Sequence, residues 1–345
     1  MNVFPDRLHF LNVVSIVLCL ALAVAGCTPA ATDPGPAATT PAPTLIPIKV
    51  GLQPFMGYAP LFIAQEEGYF EKYGLSAEFV ELKSSVEAVP LLMQGQIDLT
   101  PVAVNPGFFN AVAKGGRARG VLGGSQWASA GCTSTGILAR QADLEKYRDI
   151  AAWKGATLAT DPVGLVGMPG YLLDRILGQQ GLGLADIQTA KLPSASMAEA
   201  LQAGSIDLVQ ATEPWITRIA GQADAAVIVP AQEIIPNGQL SFIAFSPRLI
   251  DNPDLGQRAA RAYLDGVRQY IHGDRARNTQ ILAKYTQIDP ALLQQLCWSA
   301  IPEDGSANLP GVMDFQAWAV QQGNQDRIVE PAEFWDSQFV AAIQK

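Results

Sequence analysis

Leu92-Met93-Gln94-Gly95-Gln96-Ile97-Asp98-Leu99 and Leu201-Gln202-Ala203-Gly204-Ser205-Ile206-Asp207-Leu208 are two versions of one phrase, with their glycines 109 positions apart. Each reads as a helix that stops at a C-cap glycine and passes through Ile-Asp-Leu into a strand. A unit repeated a lobe apart predicts two α/β lobes of similar build. Asp98 and Asp207 read as turn-shaping residues rather than ligand contacts.

The flanking pattern agrees. Ile48-Lys49-Val50-Gly51-Leu52 reads as a strand, about Ala59 to Tyr73 as a helix ending at Gly74, and Ser76 to Leu82 as an alternating strand. Val86 to Gly95 is expected to be helical and Ile97 to Val104 a strand. Such βαβα alternation predicts a parallel sheet covered by helices. The second unit opens near Asp143, with a first strand in Trp153 to Ala159 and a helix over about Pro169 to Gly178. The expected division is residues 48–140 with 236–345 as lobe one and its C-terminal helices, and 141–235 as lobe two. Beyond Asp254 the chain reads as mostly helical, with helical spacing in Ala259 to Ile271 and Asn278 to Tyr285. Trp318, Phe334, Trp335 and Phe339 are expected to be packing aromatics.

Ahead of this body lies an apolar run, Val13 to Ala25, closed by Leu22-Ala23-Val24-Ala25-Gly26-Cys27. It reads as a signal peptide over residues 1–26, although Arg7 is its only basic residue before the run. The pattern resembles a bacterial lipobox, which would make Cys27 the lipidated first residue of the mature protein. A chance cysteine after an ordinary signal peptide is one alternative. A spanning helix is the other, but the run falls short of the about 20 residues that requires. Residues 27–47 are rich in Pro, Ala and Thr and read as a semi-extended tether. The expectation is a chain anchored by lipid on the extracytoplasmic face of the cell membrane.

Composition excludes several functions. The 345 residues carry a net charge of −9 with no Lys/Arg cluster, so nucleic acid is not an expected partner. The four cysteines, Cys19, Cys27, Cys132 and Cys297, form no CxxC and no Cys/His metal spacing. Cys132 and Cys297 are open to two readings, buried thiols or a disulfide. Of the two histidines, His9 falls in the signal and His272 near a helix end, so no Ser-His-Asp set is expected. No glycine-rich phosphate loop is present, and no cofactor or metal is expected.

In open α/β sheets ligands bind at the carboxyl ends of the strands. Those loops supply Phe55 and Tyr58, then Asn105, Trp127, Asp161, and finally Glu213 and Trp215 as candidate ligand contacts; none of the loops carries Lys or Arg. Each has a plainer role open to it. Phe55 and Tyr58 could cover the first helix, Asn105 and Glu213 could cap helices, and the strand end before Trp127 is poorly marked.

The run GLQPFMGYAPLFIAQEEGYFEKYGL (residues 51–75), with LLMQGQIDL and TEPW after it, resembles the NMT1/THI5-like family over about residues 48–250. These are extracytoplasmic solute-binding proteins of ABC importers. The resemblance implies the type II periplasmic-binding-protein fold, two hinged lobes with ligand between them. It also implies a permease partner and its ATPase; a monomer is expected. Asp161 and Glu213 depart from an anion-binding pattern and suit a ligand with N–H or O–H donors. The aromatics suit a flat ring, so riboflavin is the first expectation and a thiamine pyrimidine the second, with nitrate or sulfonate as the alternative. Two other classes remain. A pyrimidine-precursor synthase of this family would carry a CCCFC motif and a working histidine, which this chain lacks. A sensory module would act through another protein.

Overall fold

A computed structural model describes residues 44–82, 85–128, 130–162 and 164–343. The expected signal peptide, Cys27 and most of the tether lie outside the described residues. Two five-stranded sheets organise the rest. The first contains β1 (Ile46–Leu52), β2 (Leu75–Glu81), β3 (Leu99–Ala103), β4 (Arg119–Gly123) and β10 (Ser241–Phe245), in the order β2-β1-β3-β10-β4. The second contains β5 (Thr135–Arg140), β6 (Thr157–Thr160), β7 (Gln188–Lys191), β8 (Leu208–Thr212) and β9 (Ala225–Pro230), in the order β7-β6-β8-β5-β9. Strand β1 begins at Ile46, two residues inside the span expected to be tether.

The repeated phrase does the same work in each lobe. The Asp98 carboxylate accepts the Lys49 N–H at 2.7 Å, and the Asp98 N–H donates to the Lys49 carbonyl at 2.7 Å. Asp207 repeats both bonds with Thr157, each at 2.9 Å. Each aspartate thus ties the start of its own strand to the strand beside it, as a turn-shaping residue should. Gly95 (φ 68°) and Gly204 (φ 73°) are left-handed, the conformation glycine adopts at lowest cost after a helix.

The sheets are mixed, which corrects the all-parallel expectation. β10 runs antiparallel between β3 and β4, and β5 runs antiparallel between β8 and β9. The reason is connectivity. β5 and β10 are the strands that follow a crossing between lobes. Each starts beside the other lobe and runs away from it, against its neighbours. Strand β5 also places residues 135–140 in the second sheet, before the expected border at 141. The expected helix from Ala59 to Tyr73 is two, Ala59–Glu66 and Tyr69–Lys72, separated at left-handed Gly68 (φ 70°).

The crossing segments pair with each other between β4 and β5 and between β9 and β10. The Trp127 N–H donates to the Gly238 carbonyl at 3.0 Å, and Gln126 Nε2 to Gln239 Oε1 at 2.7 Å. The Trp127 ring lies flat enough on Gly238 that an added Cβ there would sit 2.3 Å from it. Helix Leu309–Gln321 belongs to the span expected in lobe one, yet Phe315 and Trp318 pack on Tyr171 of helix Met168–Gly178 with ring centroids 5.9 and 5.6 Å away. It bridges the lobes. Phe334 and Phe339 are fully buried, Trp318 is buried and Trp335 half-buried; each fully buried aromatic contributes on the order of 2–3 kcal/mol of apolar transfer. Cys132 and Cys297 form a disulfide.

Candidate functional site

The carboxyl ends of β1, β6 and β8 face one cleft of about 470 Å³ between the lobes. The loop after β1 brings Phe55, the loop after β6 brings Asp161, and the loop after β8 brings Glu213 and Trp215. Four of the seven expected contacts therefore meet, from both lobes. Phe55 is 59 % exposed, an uncovered aromatic at the cleft.

Glu213 does two jobs. Its carboxylate accepts Thr217 Oγ1 at 2.8 Å and the Thr217 N–H at 3.2 Å, which caps helix Trp215–Gln222. The Cys297 N–H of the other lobe also faces it and favours its ionised form. Burial still pushes its pKa above the ordinary glutamate value, against those hydrogen bonds. Trp215 offers its ring to the cleft, with the Arg218 guanidinium 4.9 Å from the ring centroid.

Gln210 of β8 was not anticipated. It is 7 % exposed, and its Nε2 donates to the Pro169 carbonyl at 2.9 Å. That bond fixes the amide orientation. Oε1 is then buried at the cleft with no hydrogen-bond partner among the described residues. The available signal was a lone amide in the apolar strand Leu208-Val209-Gln210-Ala211. Asp161 and Glu213 present acceptors, and among the described residues no Lys or Arg lines this cleft. Hydroxyls of Ser125, Thr135, Thr160, Ser194 and Ser299 complete the polar wall.

Asn105 lies beside a second cavity, of about 940 Å³, that shares Asp161, Pro169 and Leu240 with the first. Its side-chain oxygen accepts the Gly107 and Phe108 N–H groups at 2.8 and 3.4 Å, as an N-cap does. Anions bind at helix N-termini through such N–H groups. Here Asn105 takes two of them, Pro106 and Pro169 have none, and Glu213 takes that of Thr217.

A sequence profile of the NMT1-like family matches residues 42–286. The chain belongs to the NMT1-like family. This NMT1-like chain is also 26% identical over 253 residues to binding proteins of Brucella abortus and Brucella suis, across 72% of its length and 74% of theirs. It is similar in structure to the periplasmic aliphatic sulphonate binding protein of Escherichia coli, with TM-score 0.68, 20% identity, and 85% and 99% of the two chains covered. The periplasmic nitrate-binding protein of Synechocystis PCC 6803 gives TM-score 0.60, 15% identity, and 88% and 86% coverage. A desulfurization enzyme gives TM-score 0.61, 16% identity, and 86% and 98% coverage. The NMT1-like chain thus has the periplasmic-binding-protein fold, one that an enzyme also uses, so chemistry has to be read from the cleft.

Two expected contacts of the NMT1-like chain point elsewhere. Tyr58 is 7 % exposed, stacks near Phe62 and donates to Gln53 Oε1 at 3.3 Å; burial pushes its pKa up to about 12. It covers the first helix, the plainer role open to it. Trp127 is 1 % exposed and packs in the crossing segments. Cys297 lines the cleft as half of a disulfide, and His272 is an exposed residue 2.9 Å from Glu303. Neither supplies a nucleophile or base to the cleft. Among the described residues no helix is long and apolar enough to cross a membrane, and no His/Cys/Asp/Glu group could hold a metal.

Proposed function

We propose that the chain is the extracytoplasmic solute-binding protein of an ABC importer, a monomer held to the cell membrane by lipid on Cys27. It captures a flat nitrogen heterocycle whose N–H donors meet Glu213 and Asp161, with Phe55 and Trp215 against the ring. Closure of the two lobes on the ligand produces the form that docks on a permease driven by its ATPase. The border between the lobes, and the hinge, lies in the paired segments 124–134 and 231–240. The observation that carries the ligand class is a cleft where Asp161 and half-buried Glu213 present carboxylates and where, among the described residues, no Lys or Arg lines the wall. The Cys132–Cys297 disulfide supports residence in an oxidising compartment.

Riboflavin and thiamine pyrimidines both fit the class. With Tyr58 and Trp127 in the core, the flat-ring case rests on two aromatics, so neither is preferred. An anion reading draws on Ser194 at the first turn of helix Ser194–Gln202 and on the hydroxyl-lined wall. A thermal-shift panel of riboflavin, aminopyrimidines, nitrate, taurine and alkanesulfonates decides between them. A ligand at 100 times its Kd adds about 2.7 kcal/mol of stability. A shift with a heterocycle, lost in Trp215→Ala, supports the reading. A shift with nitrate or a sulfonate alone refutes the ligand class.

A further inference from the structure

The larger cavity lies beside the carboxylate cleft and shares Asp161, one of the contacts proposed above, with it. Asp161, Pro169 and Leu240 are walls of both. One side is Val89, Met93 and Val104, and the other is Val166, Met168 and Pro169. The two sides come from the two lobes. The polar residues around it are already engaged. Asn105 caps its helix, Asn110 donates to the Asn324 carbonyl and accepts the Asp326 N–H, and Lys114 pairs with Asp326 at 3.4 Å. A chamber with apolar walls and occupied polar groups favours an apolar occupant. The walls it shares with the cleft say which one: a substituent on the molecule whose polar head sits at Glu213.

Resting on the ligand reading above, we infer that this chamber is a second subsite, and that the natural ligand is a donor-bearing heterocycle with an apolar arm. Val166 is 42 % exposed, an apolar side chain left uncovered that such an arm would cover. An arm lying between walls of both lobes is in contact with both only when they close, so it adds to the closed state. A polyol arm would gain nothing there.

The test uses the purified full chain and a series of 4-aminopyrimidines bearing 5-n-alkyl groups from methyl to hexyl, with affinities measured by calorimetry. Each methylene buried should tighten binding about fourfold. Gly167→Leu fills the chamber from the second lobe. The atoms nearest an added Cβ at Gly167 belong to Pro169, Asn105 and Val104, at 3.7 to 3.9 Å, an ordinary contact distance, and its φ of −107° suits any residue. That variant should flatten the chain-length dependence and leave the methyl compound bound as before. Val166→Asn, at an exposed position that carries little folding risk, should reduce the dependence. If the methyl compound binds and longer chains bind no tighter, the chamber inference is overturned and the cleft reading stands. A length dependence that survives Gly167→Leu in folded protein also overturns it. If no member binds, or Glu213→Gln leaves every affinity unchanged, the ligand reading fails and the inference with it.

Discussion

Replacing Glu213 by Gln should make the unliganded protein more stable and the liganded complex weaker. The carboxylate accepts from Thr217 Oγ1 and from the Thr217 N–H and faces the Cys297 N–H, yet burial outweighs all three and raises its pKa. A raised acid pKa means that the folded chain holds a proton which the unfolded chain releases. Unfolding then releases protons, and stability falls as pH rises from the ordinary glutamate value of about 4.3 through the raised value. The amide of the Glu213→Gln variant has no such titration. The variant's advantage should be absent below the ordinary glutamate pKa, grow through that window and level off above the raised pKa. Urea unfolding from pH 3.5 to 8 measures it. The opposite sign applies to affinity. A hydrogen bond to a charged group contributes about 1.5–3 kcal/mol, so the ionised carboxylate should be worth roughly 10- to 150-fold in Kd for a ligand with an N–H donor. Calorimetry with whichever heterocycle the thermal panel identifies reads that ratio. Equal affinity in wild type and variant would refute the placement of Glu213 against the ligand. A variant less stable at pH 7 than the wild type would refute the argument from burial.

Four further outcomes follow from the geometry. Asp98→Asn and Asp207→Asn should each lower unfolding free energy by about 2 kcal/mol, because each carboxylate holds a strand N–H and one more donor, Arg248 at 2.8 Å or the Tyr147 hydroxyl at 2.7 Å; chemical denaturation checks both. The Cys132→Ser, Cys297→Ser double variant opens a link across 165 positions, with a chain-entropy ceiling of about 5 kcal/mol. It should lower the melting temperature, and it should weaken ligand binding by loosening the Cys297 N–H that faces Glu213. Trp127→Ala should cost about 3–5 kcal/mol of stability and, in protein that remains folded, leave Kd unchanged. Phe55→Ala should do the reverse, weakening binding with little change in urea midpoint, since the ring is exposed in the unliganded chain.

How far the sequence could be read depended on what each signal encodes. The Gly-x-Ile-Asp phrase is local: a left-handed glycine and an aspartate bonded to the strand alongside make one supersecondary unit, and its recurrence was enough to announce two lobes. Strand direction is not local. β5 and β10 look like any short apolar strand, and only their position after an interlobe crossing makes them antiparallel. The same distinction separates the site residues. Asp161, Glu213 and Trp215 stand just after strands that end at the cleft, and they line it. Tyr58 stands after β1 as well, but its ring turns back onto Phe62, a choice made by the helix it covers. Trp127 follows β4, where the chain is already leaving the lobe, so the rule that places ligand loops does not apply there. The disulfide joins residues that only the crossing and the C-terminal helices bring together. Gln210 inverts the case. Within a strand an amide reads as a flaw in an apolar run; Pro169, from a helix in the same lobe, takes its N–H and leaves its oxygen buried without a partner among the described residues. Among the described residues the cleft offers carboxylates and hydroxyls and no Lys or Arg, so a donor-bearing ring is the ligand we expect, and proteins of the same fold named for binding sulphonate or nitrate share its scaffold without dictating its ligand.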